Sequence, residues 1–516
     1  MFESAELGHT LDKLTFEREV PPLREALLDA QYDLLDARKF AVIVVIGGVD
    51  GAGKGETVNV LNEWMDPRHI HAHAYGDPLD EERERPPMWR FWRDLPPRGK
   101  LGIFFGSWYT QPILRRAYGK SKNPALDQSL QEVVRFERML TDEGTLVLKF
   151  WLHLSKAQQK QRLESLASKA RTRWRVTDQE WRHFKLYDRF REVSERALRR
   201  TSTPEAPWIV VEGVDHRYRS VTVARAILEA MRQRLEAGSA ATPRPSSPDV
   251  VDQGEGRAAP NASPPRPSSL PLVARGDSLD VLNTLDLTRE MDDGDYDAAL
   301  DHYQSRLNLL SRAAPLKKRS VVLAFEGPDA AGKGGSIRRI TAALDARQYR
   351  VIPIAAPTDE ERAQPYLWRF WRQLPRRGQF AIFDRSWYGR VLVERVEGFA
   401  SEFDWSRAYG EINDYEEQLV RHNTLLLKFW LQISQEEQLK RFAERTEVGF
   451  KRFKLTDEDW RNRQKWDHYQ RAAADMVERT STDVAPWTLV EANDKNFARI
   501  KILKTVCERL EAALEA

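Results

Sequence analysis

One long pattern occurs twice in this chain. Gly48-Val49-Asp50-Gly51-Ala52-Gly53-Lys54 and Gly327-Pro328-Asp329-Ala330-Ala331-Gly332-Lys333 each follow an apolar run, and their lysines stand 279 positions apart. The same offset relates Trp89-Arg90-Phe91-Trp92-Arg93 to Trp368-Arg369-Phe370-Trp371-Arg372, and Leu148-Lys149-Phe150-Trp151-Leu152 to Leu427-Lys428-Phe429-Trp430-Leu431. It still holds at Ala206-Pro207-Trp208 and Ala485-Pro486-Trp487. A repeat of this length is a duplicated domain, not a solenoid unit. The two halves must then share a fold, and a difference at equivalent positions marks chemistry that one half has and the other lacks.

The 516 residues divide into domains at 1–238 and 278–516. Between them, 239–277 is rich in Pro and Ser, without apolar periodicity, and reads as a flexible linker. Each half alternates apolar strand-like runs with helical stretches. Continuous runs such as Ala41 to Ile46 and Val321 to Phe325 fit strands covered on both faces. Lys100 to Phe105, Thr145 to Leu154 and Trp208 to Glu212 follow, matched by Gln379 to Phe383, Thr424 to Ile433 and Trp487 to Glu491. Helices are expected over Tyr409 to Arg421 and Gln435 to Arg445. The fold class is α/β: two tandem P-loop kinase-like domains, each a parallel sheet with helices on both faces. Ligands of such sheets bind at the carboxyl ends of the strands, where both glycine-rich loops lie.

Composition narrows the function. The net charge of +3 is nearly balanced, so no global basic field points to nucleic acid. The single cysteine, Cys507, excludes an internal disulfide framework. The opening residues lack a signal-peptide pattern, and no apolar run reaches membrane-spanning length. These features read as a soluble cytoplasmic protein with no membrane partner.

The glycines of the second loop (Gly327, Gly332, Gly334 and Gly335) let backbone amides close around phosphate, with Lys333 as a point charge. The Ser or Thr that usually follows the lysine is Gly334 here. Asp329 sits inside the cradle, where a carboxylate repels phosphate unless a cation or a transferable proton intervenes. It is a candidate magnesium ligand or proton acceptor, or a turn residue capping the next helix. Asp384 ends the apolar run Phe380 to Phe383 in the Walker B position, a second candidate metal ligand, and Arg385 and Arg390 follow it. In the first half Phe105, Gly106 and Gln111 replace Asp384, Arg385 and Arg390, and Glu56 replaces Gly335. The shared Ser-Trp-Tyr remains, at Ser107 to Tyr109 and Ser386 to Tyr388. Chemistry is thus expected in the second half only.

Arg441, Arg445, Lys451, Arg452 and Lys454 precede Thr456, which with Asp459 reads as a cap for a helix through Trp460 and Trp466. They suit a lid over a polyanion, or a solvated basic face. Arg369, Arg372, Arg376 and Arg377 could track a phosphate chain, and Trp368, Phe370 and Trp371 read as core. The triplet His69, His71 and His73 has strand spacing and no companion ligand, so it is not a zinc site.

Glu326 to Gly335, Trp368 to Arg372, Asp384-Arg385-Ser386-Trp387-Tyr388-Gly389-Arg390 and Lys451-Arg452-Phe453-Lys454-Leu455-Thr456 together resemble the polyphosphate kinase 2 family, over nearly all of both halves. The resemblance implies a helical lid module and transfer of the terminal phosphoryl group of inorganic polyphosphate to AMP, giving ADP, with Mg2+. It also implies that Asp329, Lys333, Asp384, Arg385 and Arg390 form the active-site group. Two other readings share the motifs: an ATP-dependent nucleoside-monophosphate kinase and a non-catalytic polyanion-binding scaffold. A homo-oligomer is compatible with the sequence, and so is a tandem pair that mimics a dimer internally.

Overall fold

The computed structural model describes residues 1–170, 172–240, 281–447 and 457–515. The expected linker lies outside them, except that residues 239 and 240 end the helix His216–Ala240. Lys451, Arg452, Lys454 and Thr456 also lie outside the described residues.

The first half builds a sheet from β1 (Val42–Gly48), β2 (Ile70–Ala74), β3 (Leu101–Phe105), β4 (Leu146–His153) and β5 (Trp208–Glu212). The second uses β6 (Ser320–Glu326), β7 (Tyr349–Pro353), β8 (Phe380–Asp384), β9 (Thr424–Gln432) and β10 (Trp487–Glu491). The strand orders are β2-β3-β1-β4-β5 and, equivalently, β7-β8-β6-β9-β10. All neighbours pair in parallel. The central strands β1 and β6 are buried almost throughout because helices cover both faces. Each leads straight into a glycine-rich loop. Helices start at Lys54 and Lys333, after Gly53 and Gly332 in left-handed backbone.

The helix expected over Gln435 to Arg445 runs on to Glu447, and two others depart further from the sequence expectation. The helix before β9 spans Glu402–Arg421, because Ser401 caps it by accepting from the Asp404 amide at 3.2 Å. The single helix expected through Trp460 and Trp466 is two, Asp457–Gln464 and Trp466–Thr480. Lys465 leaves helical backbone between them and turns its ammonium to Glu397, 2.8 Å away. Trp368, Phe370 and Trp371 are core, as expected.

The halves are packed together by equivalent surfaces. Trp92 stacks on Trp371, its own counterpart, with centroids 5.6 Å apart. Arg135 meets its counterpart Asp414 at 3.1 Å. Arg85 donates to the Leu374 carbonyl at 3.0 Å, and reciprocally Gln364 donates to the Leu95 carbonyl at 3.1 Å. Such reciprocity defines an isologous, two-fold interface. The tandem chain is therefore an internal pseudo-dimer. One apolar cluster runs across the join, and two others fill the outer faces of the sheets. Among the described residues no helix is long and apolar enough to cross a membrane.

Beneath the loop after β8 lies a buried ion pair. The Lys428 ammonium, on β9, donates to Glu416 at 2.7 Å, to the Tyr388 hydroxyl at 2.9 Å and to the Thr480 carbonyl at 2.7 Å. Glu416 also accepts from Tyr388 and from the Trp387 indole. Lys149, Glu137, Tyr109, Trp108 and Thr201 repeat this network in the first half. A buried charge is tolerable only when all its donors or acceptors are satisfied. Lys428→Met is expected to destabilise the fold by about 3–5 kcal/mol, because it strands Glu416. Adding Glu416→Gln, which still accepts from Trp387 and Tyr388, should restore most of the loss. Urea unfolding of both variants measures this, and a loss below about 1 kcal/mol in the single variant would rule out a stranded charge.

At the domain join, Arg407 bridges Glu143 of the first half, at 2.8 Å, to Asp404, at 3.1 Å, and to Glu411. Burial pushes the Glu411 carboxyl up to about 7; Arg407 works against that rise and Glu143 adds to it. A raised carboxyl stabilises the fold while protonated, and that contribution is lost as pH rises from about 4.5 through about 7. The thermal midpoint should therefore fall between pH 5 and 8, and Glu411→Gln should flatten part of that fall in a melting series.

Candidate active site

The parallel register sets the site. β6 and β8 lie side by side with Phe325 opposite Asp384, so the loop after β6 and the acid ending β8 emerge together. Lys333 folds back into its loop, donating to the Gly327 carbonyl at 2.7 Å and the Pro328 carbonyl at 3.1 Å. Burial pushes its ammonium down and Arg385 adds to that, whereas Asp329, Asp384 and Glu326 oppose it. Both aspartates thus act on one lysine across one cleft. The Asp384 carboxylate faces the loop: a side chain at Gly334 would put its Cβ 3.9 Å from Oδ2. A Cβ at Gly327 would come 2.6 Å from the Leu431 carbonyl oxygen, so only glycine fits there. Gly335 packs toward Arg499.

Asp329 is drawn off the lysine. Arg385 donates to its Oδ1 at 2.6 Å, and Asn462, from the helix that follows the expected lid, donates to Oδ2 at 2.9 Å. Gln438 holds the Asp329 backbone carbonyl at 3.1 Å. Glu326 is fully buried and accepts from the Ser386 amide at 2.7 Å and hydroxyl at 2.8 Å; burial raises its carboxyl. These ties hold the loop carrying Arg385. Sequence reasoning assigned no role to Glu326, Gln438 or Asn462. The repeat held a signal for two of them: Gln159 and His183, their counterparts, bind Asp50 in the same places.

Arg385 sits at φ 64 and Ala330 at φ 66, the left-handed region that L side chains rarely adopt. Their counterparts are Gly106, at φ 69, and Gly51, at φ 81. The backbone shape is common to both halves, and only the second half fills it with side chains.

Arg385, Arg390, Asp329 and Glu326 line one cavity of about 820 Å³. Arg390 pairs with Glu394 at 2.8 Å and lies over the Tyr366 ring at 4.3 Å. Arg445, with Gly335, Ser336, Lys495 and Arg499, lines a separate hollow of about 160 Å³ on the other side of the loop. Of the four arginines expected to track phosphate, Arg369 alone lines the main cavity. Arg372 pairs with Glu360 at 3.2 Å over the Trp368 ring, and Arg376 is tied to Glu84 of the first half, because that segment forms the domain join.

Asp384 makes no side-chain hydrogen bond or ion pair among the described residues, and Asp329 retains lone pairs. Two carboxylates beside a phosphate cradle fit a magnesium ion, which ordinarily takes one or two carboxylates and completes its shell with phosphate oxygens and water.

The first-half loop is filled by its own chain. Lys54 pairs with Asp50 at 3.2 Å, and His183 meets Asp50 at 2.6 Å. Burial alone would raise Asp50, but Lys54 and His183 overcome it and hold the acid below the usual carboxylate range. Glu56 accepts from Arg162 at 2.8 Å and Arg219 at 2.9 Å, with Arg175 at 3.4 Å. The Arg219 guanidinium also lies across the loop: a Cβ at Gly53 would fall 2.2 Å from it. One internal carboxylate therefore takes up three guanidiniums beside the cradle.

The model of the polyphosphate kinase 2 (PPK2) family matches residues 10–238 and 290–516. A polyphosphate:AMP phosphotransferase of Pseudomonas aeruginosa is 53% identical over 513 residues, which cover 99% of each chain. A second enzyme of that name, from Acinetobacter johnsonii, is 37% identical over 94% of this chain and 95% of its own. The crystal structure of a polyphosphate kinase 2 from Pseudomonas aeruginosa PA01 superposes with a TM-score of 0.86 at 52% identity, covering 100% of this chain and 99% of that one. With the motif carried twice, the same tandem α/β architecture and matches in both halves, the chain belongs to the polyphosphate kinase 2 family.

Proposed function

We infer that this protein transfers the terminal phosphoryl group of inorganic polyphosphate to AMP, forming ADP and a polyphosphate one unit shorter. The observation that carries this reading is the asymmetric pair of P-loops, in a chain whose full-length relatives bear that activity in their names. An oxygen of the AMP phosphate attacks the terminal phosphorus, and the anhydride P–O bond to the chain breaks. The AMP phosphate, with a second pKa of about 6, is largely dianionic at neutral pH, so the step needs little base catalysis. Positioning and charge stabilisation then supply the rate.

The roles follow from placement. Backbone amides from Gly327 to Gly335 and Lys333 cradle the donor. Arg385, paired with Asp329 beside the P-loop, and Arg390 stabilise the group in transfer. Asp329 and Asp384 would hold Mg2+, which supplies neutralising charge when bound. Arg445 with Lys451, Arg452 and Lys454 extends the polyanion surface. The first domain is catalytically silent, its cradle closed by Glu56 and its acid replaced by Phe105. The protein acts in the cytoplasm on small phosphates and needs neither nucleic acid nor membrane.

A donor and acceptor panel tests the reading. Purified protein with magnesium should form ADP from AMP and polyphosphate, with ATP a poor donor. Asp384→Asn should reduce the rate at least about hundredfold. Transfer from ATP alone would assign a nucleoside-monophosphate kinase, and no transfer from any donor would leave a binding scaffold.

Arg385 yields a separate prediction. A left-handed arginine costs about 1 kcal/mol, and its half-exposed pair with Asp329 returns little. Arg385→Gly should change unfolding stability by less than about 1 kcal/mol yet lower turnover at least about hundredfold. Retained turnover in that variant would show that Arg385 has no part in transfer.

A further inference from the structure

The main cavity has two ends of different chemistry. One is lined by Gly327, Pro328 and Asp329 of the P-loop and by Arg385. The other is acidic and is walled partly by the first domain, through Arg98, Asp142 and Glu143. Glu394 and Asp404 line it as well. Its Arg407 and Arg390 guanidiniums are already engaged by Glu143, Asp404 and Glu394, so it is a poor seat for a polyanion. A nucleoside, uncharged and rich in hydroxyl and amine donors, is better suited to it.

This acidic end breaks the two-fold relation between the halves. On the distal side of the join, Arg421 of the second domain pairs with Glu132, and the Gln128 amide oxygen takes a hydrogen bond from it. On the cavity side the signs are reversed: Asp142 and Glu143 come from the first domain, and Arg407, in place of Gln128, receives Glu143. Glu143 is only 9% exposed, and Arg407 only 12%. The neighbours of Arg407 also lack equivalents. Tyr366, Arg390, Glu394 and Asp404 correspond to Pro87, Gln111, Arg115 and Ala125. Scaffold residues such as the Lys428 network are the same in both halves. This cluster instead differs between the halves in the same way as Asp384 and Arg385, although it lies at the domain join. That pattern marks it as part of the site.

Glu143, Tyr366 and Arg390 line the same cavity as the P-loop. Arg407 holds Glu411 and Asp404 on the helix Glu402–Arg421. The half-buried Tyr366 ring feels Glu411, Glu143, Arg407 and Arg390 together and supports the Arg390 guanidinium on its face. The Tyr366 hydroxyl has no hydrogen-bond partner among the described residues, so this wall of the cavity keeps an unused polar group.

We propose that Glu143 of the first domain is a positioning residue of the second domain's site: by fixing Arg407 it sets the Tyr366–Arg390 wall against which the acceptor nucleotide, and not polyphosphate, is held. The silent domain is then a working part of the acceptor site. This rests on the proposed transfer for its choice of acceptor, but its test does not.

The experiment compares Glu143→Gln and Glu143→Asp with the parent full-length chain. AMP affinity is measured by calorimetry without polyphosphate, and KM for AMP and for polyphosphate are measured separately. Glu143→Gln should weaken AMP binding and raise its KM about tenfold, with the polyphosphate KM and the melting temperature near parental values. Glu143→Asp should recover part of the loss. Parental AMP affinity in Glu143→Gln overturns the proposal. So does an equal rise in both KM values together with a lowered melting temperature, which marks general loosening. If the parent binds AMP but makes no ADP from polyphosphate, the transfer reading fails while the calorimetric comparison still decides the role of Glu143.

Discussion

The loop at the candidate active site is supported from below by the Lys428–Glu416 pair. Trp387 and Tyr388, which bind Glu416, come directly after Asp384, Arg385 and Ser386. The loop that carries Asp384, Arg385 and Arg390 is thus pinned in its middle, at Trp387 and Tyr388. A loop held only by surface contacts could not keep Arg385 in a strained backbone or aim Asp384 at the cradle. The first domain separates this role from catalysis. It retains the ammonium, the carboxylate, the indole, the tyrosine hydroxyl and the threonine carbonyl in the same arrangement, but not the acid and guanidiniums that the second domain displays. The ion pair therefore belongs to the fold, and the chemistry is mounted on it.

The twin also exposes where stability has been given up. Gly51 and Gly106 occupy left-handed positions at little cost, and Ala330 and Arg385 occupy the same positions with side chains. Strain of this kind persists only when surrounding contacts over-determine the backbone. Here those contacts are the Glu326–Ser386 bonds and the Asn462 and Gln438 bonds to Asp329. In the first domain Asp50 is neutralised locally by Lys54 and His183, so that site is a relaxed version of the same loop. Holding Asp329 away from Lys333 leaves the lysine's charge available to phosphate.

Much of this was legible in the sequence, because continuous apolar runs and glycine spacing are local signals. They located four of the five strands in each half, the cradle, Asp329 in the loop after β6 and Asp384 at the end of β8, whereas the edge strands β2 and β7, mostly half-buried or exposed, form no apolar run. The start of the helix at Glu402 was legible too, through the Ser401 cap, but apolar periodicity alone placed it too late. Other features depend on partners far away in sequence. Arg376 and Arg369 look alike in a run of arginines, and only packing sends one to Glu84 and the other to the cavity. Asn462 matters because a helix beyond the expected lid returns to Asp329, a contact that no periodicity encodes. Glu326 reads as one more strand residue until the Ser386 bonds give its buried carboxyl a task.

Duplication followed by fusion explains why the halves could diverge without coming apart. An isologous interface is self-complementary, so two copies joined in one chain inherit it, and Trp92 against Trp371 shows that its centre is intact. The shared apolar cluster makes each domain part of the other's core, which preserves the first domain's fold after its P-loop has closed on Glu56. Symmetry, however, ties both copies of every interface residue to one compromise. In a homodimer a change that suits the cavity side of the join also appears on the distal side. In a single chain Arg407 and Gln128 can differ, and so can Glu143 and its counterpart His422. The interface has become asymmetric at the side facing the cavity while remaining symmetric at its centre. That is the distribution expected if the first domain has passed from catalysing a reaction to shaping the site in which its twin does so.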